Sequence, residues 1–153
     1  MIGIVVITHG QLATELVNAA ETIVGDLPQF AAVSIGWHED VQDARDDIQS
    51  AIARVRDGAT GVLLVTDMFG GTPCNLAMTF LARDAVEVVT GVNLPMLIKA
   101  ASLDQVGSLV EVARALSEHG RSAIWVASDL LDGTAPASSG GAGPGSTGET
   151  AGS

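Results

Sequence analysis

Basic residues are scarce in this chain: seven Lys and Arg stand against eighteen Asp and Glu, a net charge of −11. Such a surface repels nucleic acid and anionic membranes, which excludes both as direct partners and favours a basic protein instead. Cysteine is nearly absent as well. One thiol, Cys74, makes no intramolecular disulfide and no cysteine metal cluster, in keeping with a reducing compartment such as the cytoplasm. Tyrosine is missing, and aromatics make up 3% of the chain, so the core must be aliphatic. No apolar run approaches the ~20 residues of a membrane span, and the apolar start, Met1 to Thr8, has neither the basic flank nor the length of an export signal.

What is present fills one core: 47% of the 153 residues are hydrophobic. Runs rich in Val, Ile and Leu at Ile2 to Thr8, Ala31 to Ile35, Gly61 to Thr66 and Val86 to Thr90 read as strands covered on both faces. Helical stripes lie between them. Leu12, Leu16, Ala19, Ala20 and Ile23 form one; Val41, Ala44, Ile48, Ala51, Ile52 and Val55 form another. Gly25 with Pro28, and then Gly58, mark the ends of these helices, and a later helix is expected from about Leu103 to His119, capped by Ser102 and stopped by Gly120. A fifth short strand is expected at Ser122 to Ala127. This alternation predicts an α/β, doubly wound, mostly parallel sheet with helices on both faces.

The chain is expected to divide into one folded domain, residues 1–128, and a disordered Gly/Ser/Ala/Pro-rich tail, residues 129–153. The last 21 residues hold seven Gly, four Ser and two Pro and no large apolar side chain, too little to offset the entropy of ordering.

In sheets of this kind ligands bind beyond the carboxyl ends of the strands, so three loops are of interest: Thr8-His9-Gly10, Asp67 to Pro73 and Gly91 to Pro95. His9 stands where a strand gives way to a helix, and Gly10 lets the chain turn while leaving the imidazole accessible as a nucleophile. Asp67, on a neighbouring strand end, can accept a proton from one ring nitrogen and leave the other free. His9 as a strand-end polar residue and Asp67 as a cap is the plainer alternative. Gly70 and Gly71 let backbone amides approach a ligand, with Thr72 expected as N-cap and Pro73 as the first helical residue, so that the helix start offers N–H groups to an anion. An ordinary glycine turn is the alternative here. Met68 and Phe69 fill core or form a docking patch for a partner.

Other groups are weaker candidates. His38 and His119 read as solvated or dipole-complementing residues. Cys74 reads as a small helix residue, and Glu39, Asp40, Asp43, Asp46 and Asp47 as a solvated helix face without metal-loop spacing. No metal is expected. Neither G-x-G-x-x-G nor G-x-x-x-x-G-K-[ST] occurs, so no nucleotide motif is present.

With Ile4-Val5-Val6-Ile7-Thr8-His9-Gly10, Leu64 to Asn75 and Gly91 to Met96 in order, the chain resembles the IIA components of the mannose class of the bacterial phosphoenolpyruvate:sugar phosphotransferase system, from Met1 to about Ala127. The resemblance implies that His9 is phosphorylated, that Asp67 orients it, and that Thr72 with the neighbouring Gly10, Gly70 and Gly71 surrounds the phosphoryl group. It also implies a flavodoxin-like fold, no cofactor, an HPr-type phosphocarrier as donor and a IIB component as acceptor during sugar uptake. A homodimer exchanging a C-terminal strand is implied too, a role that falls to Ser122 to Ala127. Many members continue through an Ala/Pro-rich linker into a IIB domain, where this chain has its Gly/Ser-rich tail. A separate IIB protein is therefore expected, with the membrane reached only through a permease complex, or else a regulatory target. Cys74 stands where members more often have Ser. The phosphoryl-donor subunit of dihydroxyacetone kinase shares the N-terminal histidine but usually lacks a run like Gly70 to Pro73.

Overall fold

The computed structural model describes residues 1–103 and 107–133. Four strands, β1 (Gly3–His9), β2 (Phe30–Ile35), β3 (Val62–Thr66) and β4 (Val86–Thr90), alternate with α1 (Leu12–Val24), α2 (Val41–Arg56), α3 (Gly71–Met78) and α4 (Leu94–Ala101). Two helices follow, α5 (Leu109–Ser122) and α6 (Ala127–Leu131). All three strand pairings are parallel and the order across the sheet is β2-β1-β3-β4, the doubly wound, flavodoxin-like arrangement expected.

Side chains alternate across a strand, and here each face has its own helices. Ile4 and Val6 of β1 join Leu63 and Val65 of β3 under Ala13, Val17 and Ala20 of α1, with Leu97, Val112 and Leu116 of α4 and α5 completing that side. Val5 and Ile7 join Val62 and Leu64 on the other side, against Ala44, Ile48, Ile52 and Val55 of α2 and Leu76 and Ala77 of α3. Each fully buried Leu or Ile of these layers contributes roughly 1.5–3 kcal/mol. Burial on both faces makes β1 and β3 the rigid centre of the molecule.

Several expectations are corrected. In α1 the buried stripe is Ala13, Val17 and Ala20, while Leu12 and Ile23 are exposed and Leu16 and Ala19 half-buried. The helix is apolar on two adjacent sides, and the one with smaller residues lies nearest the sheet. The single helix expected at Leu103 to His119 is two. Asn93 caps the first, α4, and Ser102 is its last cap rather than the start of the next. Ser108 starts α5 through a reciprocal capping box with Glu111, and Gly120 lies inside α5 rather than ending it. A side chain at Gly120 would come within 3.0 Å of Met96 Cε, so this glycine sets the close approach of α5 to α4.

No fifth strand forms at Ser122 to Ala127. Ser122 ends α5, and Ile124, Trp125 and Val126 are exposed before α6 begins. A strand needs a neighbour, and in this single chain the described residues leave the outer side of β4 unpaired beyond the bridge of Ala82 to Val86. The boundary drawn at 128/129 falls within α6; of the expected tail, residues 134–153 lie outside the described residues.

Candidate functional site

The strand order reverses between β1 and β3, because β1 leads outward to β2 on one side while β3 and β4 lie on the other. Loops leaving the carboxyl ends of β1 and β3 therefore diverge and open a crevice between them. His9 is the last residue of β1, and Asp67 follows the last residue of β3. In the register Ile7 lies beside Thr66, which brings the two strand ends level.

The pair is in contact. His9 Nδ1 lies 2.7 Å from Asp67 Oδ2, and the same oxygen accepts the backbone N–H of His9 at 3.1 Å. Oδ1 accepts the N–H of Met68 at 3.1 Å, so the carboxylate is held at both oxygens. Burial by itself raises the pKa of Asp67, but the hydrogen bonds from the His9 side chain and backbone, with the imidazole charge, outweigh it and leave the carboxyl below its ordinary value of 3.8. An ionised carboxylate at Nδ1 favours the tautomer with the proton on that nitrogen, which leaves a lone pair on Nε2. The His9 side chain is 51% exposed against 14% for Asp67, so the ring reaches solvent while its partner is covered.

The Cε1–Nε2 edge of the ring faces the start of α3. A Cβ built on Gly71 would lie 3.1 Å from both atoms, closer than nearly all real contacts. Gly71 also has φ +79° and Gly70 φ +86°, left-handed values that favour glycine. The cap of α3 is Gly70, not Thr72 as expected, and it provides no side-chain hydrogen bond. Thr72 and Pro73 instead lie in the first turn, Thr72 exposed and Pro73 buried. A glycine cap leaves first-turn N–H groups without a side-chain partner, directly beside the free imidazole nitrogen. Gly10, with φ +56°, turns the chain immediately after His9.

Two threonines to which the sequence assigned no role hold these loops. Thr8 and Thr66 are the buried polar residues at the ends of β1 and β3. Thr8 Oγ1 accepts the N–H of Ala13 at 2.6 Å and so ties α1 to the end of β1. Thr66 donates to the carbonyl of Met68 at 3.4 Å, and its own carbonyl receives the N–H groups of Gly91 and Val92. A buried hydroxyl at each strand end, one residue before the His and the Asp, was the available signal.

The remaining candidates fall elsewhere. Met68 is exposed and Phe69 is 79% exposed in the loop between β3 and α3. Cys74 is buried in α3. His38 packs edge-on to Trp37 at the end of β2, and His119 lies in the last turn of α5. The Gly91 to Pro95 segment shares this end of the sheet, but Asn93 serves the fold: its side chain caps α4 through Met96 N–H and donates to the Gly120 carbonyl at 2.9 Å.

Among known proteins, a family model described as the PTS system fructose IIA component matches residues 3–116. The sorbose-specific EIIA component of the PTS system of Lacticaseibacillus casei is 36% identical over 99 residues, which cover 64% of this chain and 70% of that protein. The fructose-specific EIIA component of Bacillus subtilis (strain 168) is 29% identical over 133 residues, 86% of this chain and 90% of that one. Among solved structures, the mannose/sorbose specific IIA subunit of the phosphotransferase system from Enterococcus faecalis superposes with a TM-score of 0.69 at 30% identity, covering 81% of this chain and 92% of its own.

Proposed function

Since the chain belongs to the PTS fructose IIA component family, we propose that it is a phosphohistidine carrier, which takes a phosphoryl group from an HPr-type phosphocarrier onto His9 and passes it to a IIB component during sugar uptake. The observation that carries this reading is the pairing of His9 Nδ1 with Asp67 at 2.7 Å while the Nε2 edge faces the glycine-capped start of α3.

The geometry suits an in-line transfer. The Nε2 lone pair attacks phosphorus as the nitrogen–phosphorus bond of the donor breaks, so one such bond replaces another. The Nδ1 proton stays on His9 throughout, donated to Asp67, and the carboxylate balances the positive charge that the ring acquires. The N–H groups of Gly71 and Thr72, with the partial positive charge of the helix start, face the phosphoryl oxygens. Gly10 and Gly70 give the backbone the turns that bring these groups together. Discharge to the IIB component is the same step in reverse with a new acceptor, and needs no cofactor.

Specificity for mannose, fructose or sorbose type sugars would be set by the permease, since this chain handles only the phosphoryl group. The exposed run Ile124-Trp125-Val126, together with an outer edge of β4 that no strand of the described residues covers, supports a homodimer in which this segment crosses to the partner's sheet. No helix of the described residues is long and apolar enough to cross a membrane, in keeping with a cytoplasmic carrier that meets the membrane through the permease.

The test is phosphoryl transfer from phosphoenolpyruvate through enzyme I and the HPr-type carrier, read by intact mass. Wild type should gain one acid-labile phosphoryl group and His9→Ala none. Equal labelling of the two would move the reaction to His38 or His119 and end the proposal.

A further inference from the structure

We propose that Thr8 is a positioning residue for phosphoryl transfer: its buried hydroxyl braces the turn that follows His9 and so holds the imidazole between Asp67 and the start of α3. The inference rests on the carrier reading of His9.

The turn has little else to hold it. β1 ends at His9, Gly10 reverses the chain with φ +56°, and α1 begins at Leu12. Gln11 occupies the cap position of α1 but makes no side-chain hydrogen bond there. Thr8 supplies that bond from the strand. Its Oγ1 accepts the N–H of Ala13 at 2.6 Å and donates its own proton to the His9 carbonyl at 3.2 Å, so one hydroxyl spans the turn from His9 to Ala13.

The far end of this brace is fixed. Ala13 is fully buried, and beside it Thr14 Oγ1 lies 3.0 Å from Ser34 Oγ, which ties the first turn of α1 to β2 as well. The His9 main chain is therefore gripped on both sides of its Cα: Asp67 Oδ2 accepts its N–H at 3.1 Å, and the Thr8 hydroxyl donates to its carbonyl. Only the two side-chain torsions of His9 remain, and the 2.7 Å contact of Nδ1 with Asp67 sets them.

Thr8 acts through the main chain rather than on the ring. Two residues beyond Val6, it faces the α1 side of the sheet, while the His9 ring faces Gly71 of α3 on the other side. Without the hydroxyl, the buried N–H of Ala13 has lost its acceptor, and the turn shifts to find another. Nε2 then moves relative to the α3 start, and a displacement of about 1 Å at a nucleophile is enough to slow a transfer on the order of 10²-fold.

The experiment compares Thr8→Val, which keeps the shape of the side chain and removes the hydroxyl, with Thr8→Ser, which keeps the hydroxyl. In single-turnover labelling by the phosphorylated HPr-type carrier, the limiting rate of Thr8→Val should fall about thirtyfold, and the carrier concentration at half that rate should stay within about twofold of wild type, since a buried residue meets no partner. Phosphoramidate, a small donor, should slow by the same factor. Nitrogen chemical shifts of unphosphorylated His9 should show mixed tautomers in Thr8→Val where wild type keeps the proton on Nδ1, and Thr8→Ser should restore rate and tautomer together. A folded Thr8→Val that labels within about twofold of wild type and differs only by a lower Tm would reduce Thr8 to a helix cap and overturn the proposal. An unchanged tautomer in Thr8→Val would overturn it too. Should Thr8→Val fail to fold, Thr8→Ala against Thr8→Ser makes the same comparison with the same outcomes. Wild type left unlabelled at His9 by both donors would end the carrier reading and this proposal with it, whereas labelled wild type beside an equally fast Thr8→Val would end this proposal alone.

Discussion

The first turns of α3 and α5 present the same free N–H groups, and the chain treats them in opposite ways. At α5 the Ser108 side chain accepts from Glu111 N–H while the Glu111 carboxylate accepts from Ser108 N–H, so the helix start is closed by its own residues. At α3 the cap is a glycine without a side chain, and a histidine ring held by a carboxylate stands in front of it. One end stabilises the fold. The other has no side-chain cap and lies at the switch point of the sheet, where ligands of doubly wound folds bind.

Variants at the two ends should therefore separate chemistry from stability. The largest effect is expected of His9→Ala, with complete loss of phosphorylation and only a small fall in Tm from the lost Asp67 contact, since the ring is half exposed. Next is Asp67→Asn, which removes the charge that fixes the tautomer and balances the phosphorylated ring; single-turnover labelling by the phosphocarrier should slow on the order of 10²-fold. A labelling rate within a factor of two of wild type would show that the pairing is incidental.

Asp67 also has a pH signature. Its carboxyl lies below the ordinary value of 3.8 in the folded protein. The unfolded chain thus binds that proton more readily, and the pair adds stability above the ordinary carboxylate range that disappears as pH falls through the folded pKa. Thermal melts should show wild type ahead of Asp67→Asn by a constant margin near neutral pH, with the margin shrinking below about pH 4. A margin that grew on acidification would contradict this sign.

Gly71→Ala sits between the extremes. Its φ of +79° makes any side chain strained, by about 1–2 kcal/mol, and the new Cβ would press on the His9 ring. Both Tm and labelling should fall, the latter about tenfold through displacement of the nucleophile. Ser108→Ala completes the contrast with the smallest effect on function: a loss of about 1 kcal/mol in chemical denaturation and labelling at the wild-type rate. Slowed labelling in that variant would mean that the two helix starts are not independent.

Legibility in the sequence follows the same division. The strands were readable because burial on both faces forces continuous Val, Ile and Leu, and parallel order then brought the ends of β1 and β3, with His9 and Asp67, to one edge. Caps were less readable. Glycine gives no side-chain signal, so Thr72 stood out as the cap of α3 although the chain enters the helix at Gly71. The loss of detail was greatest after β4. Ser102 and Ser108 are equally good caps by type, so the sequence did not show that one ends α4 and the other starts α5, nor that the two helices meet closely where Gly120 faces Met96 and Asn93. Ile124-Trp125-Val126 has the composition of a strand, but pairing depends on a neighbour that composition cannot supply.

The most direct test of the central claim is nitrogen–phosphorus coupling in the isotopically labelled, phosphorylated protein, observed by NMR. A one-bond coupling to Nε2 of His9, with Nδ1 still protonated, is the predicted result. Coupling to Nδ1, or to a nitrogen of His38 or His119, would contradict it, because the Asp67 contact and the open start of α3 would then have no part in holding the phosphoryl group.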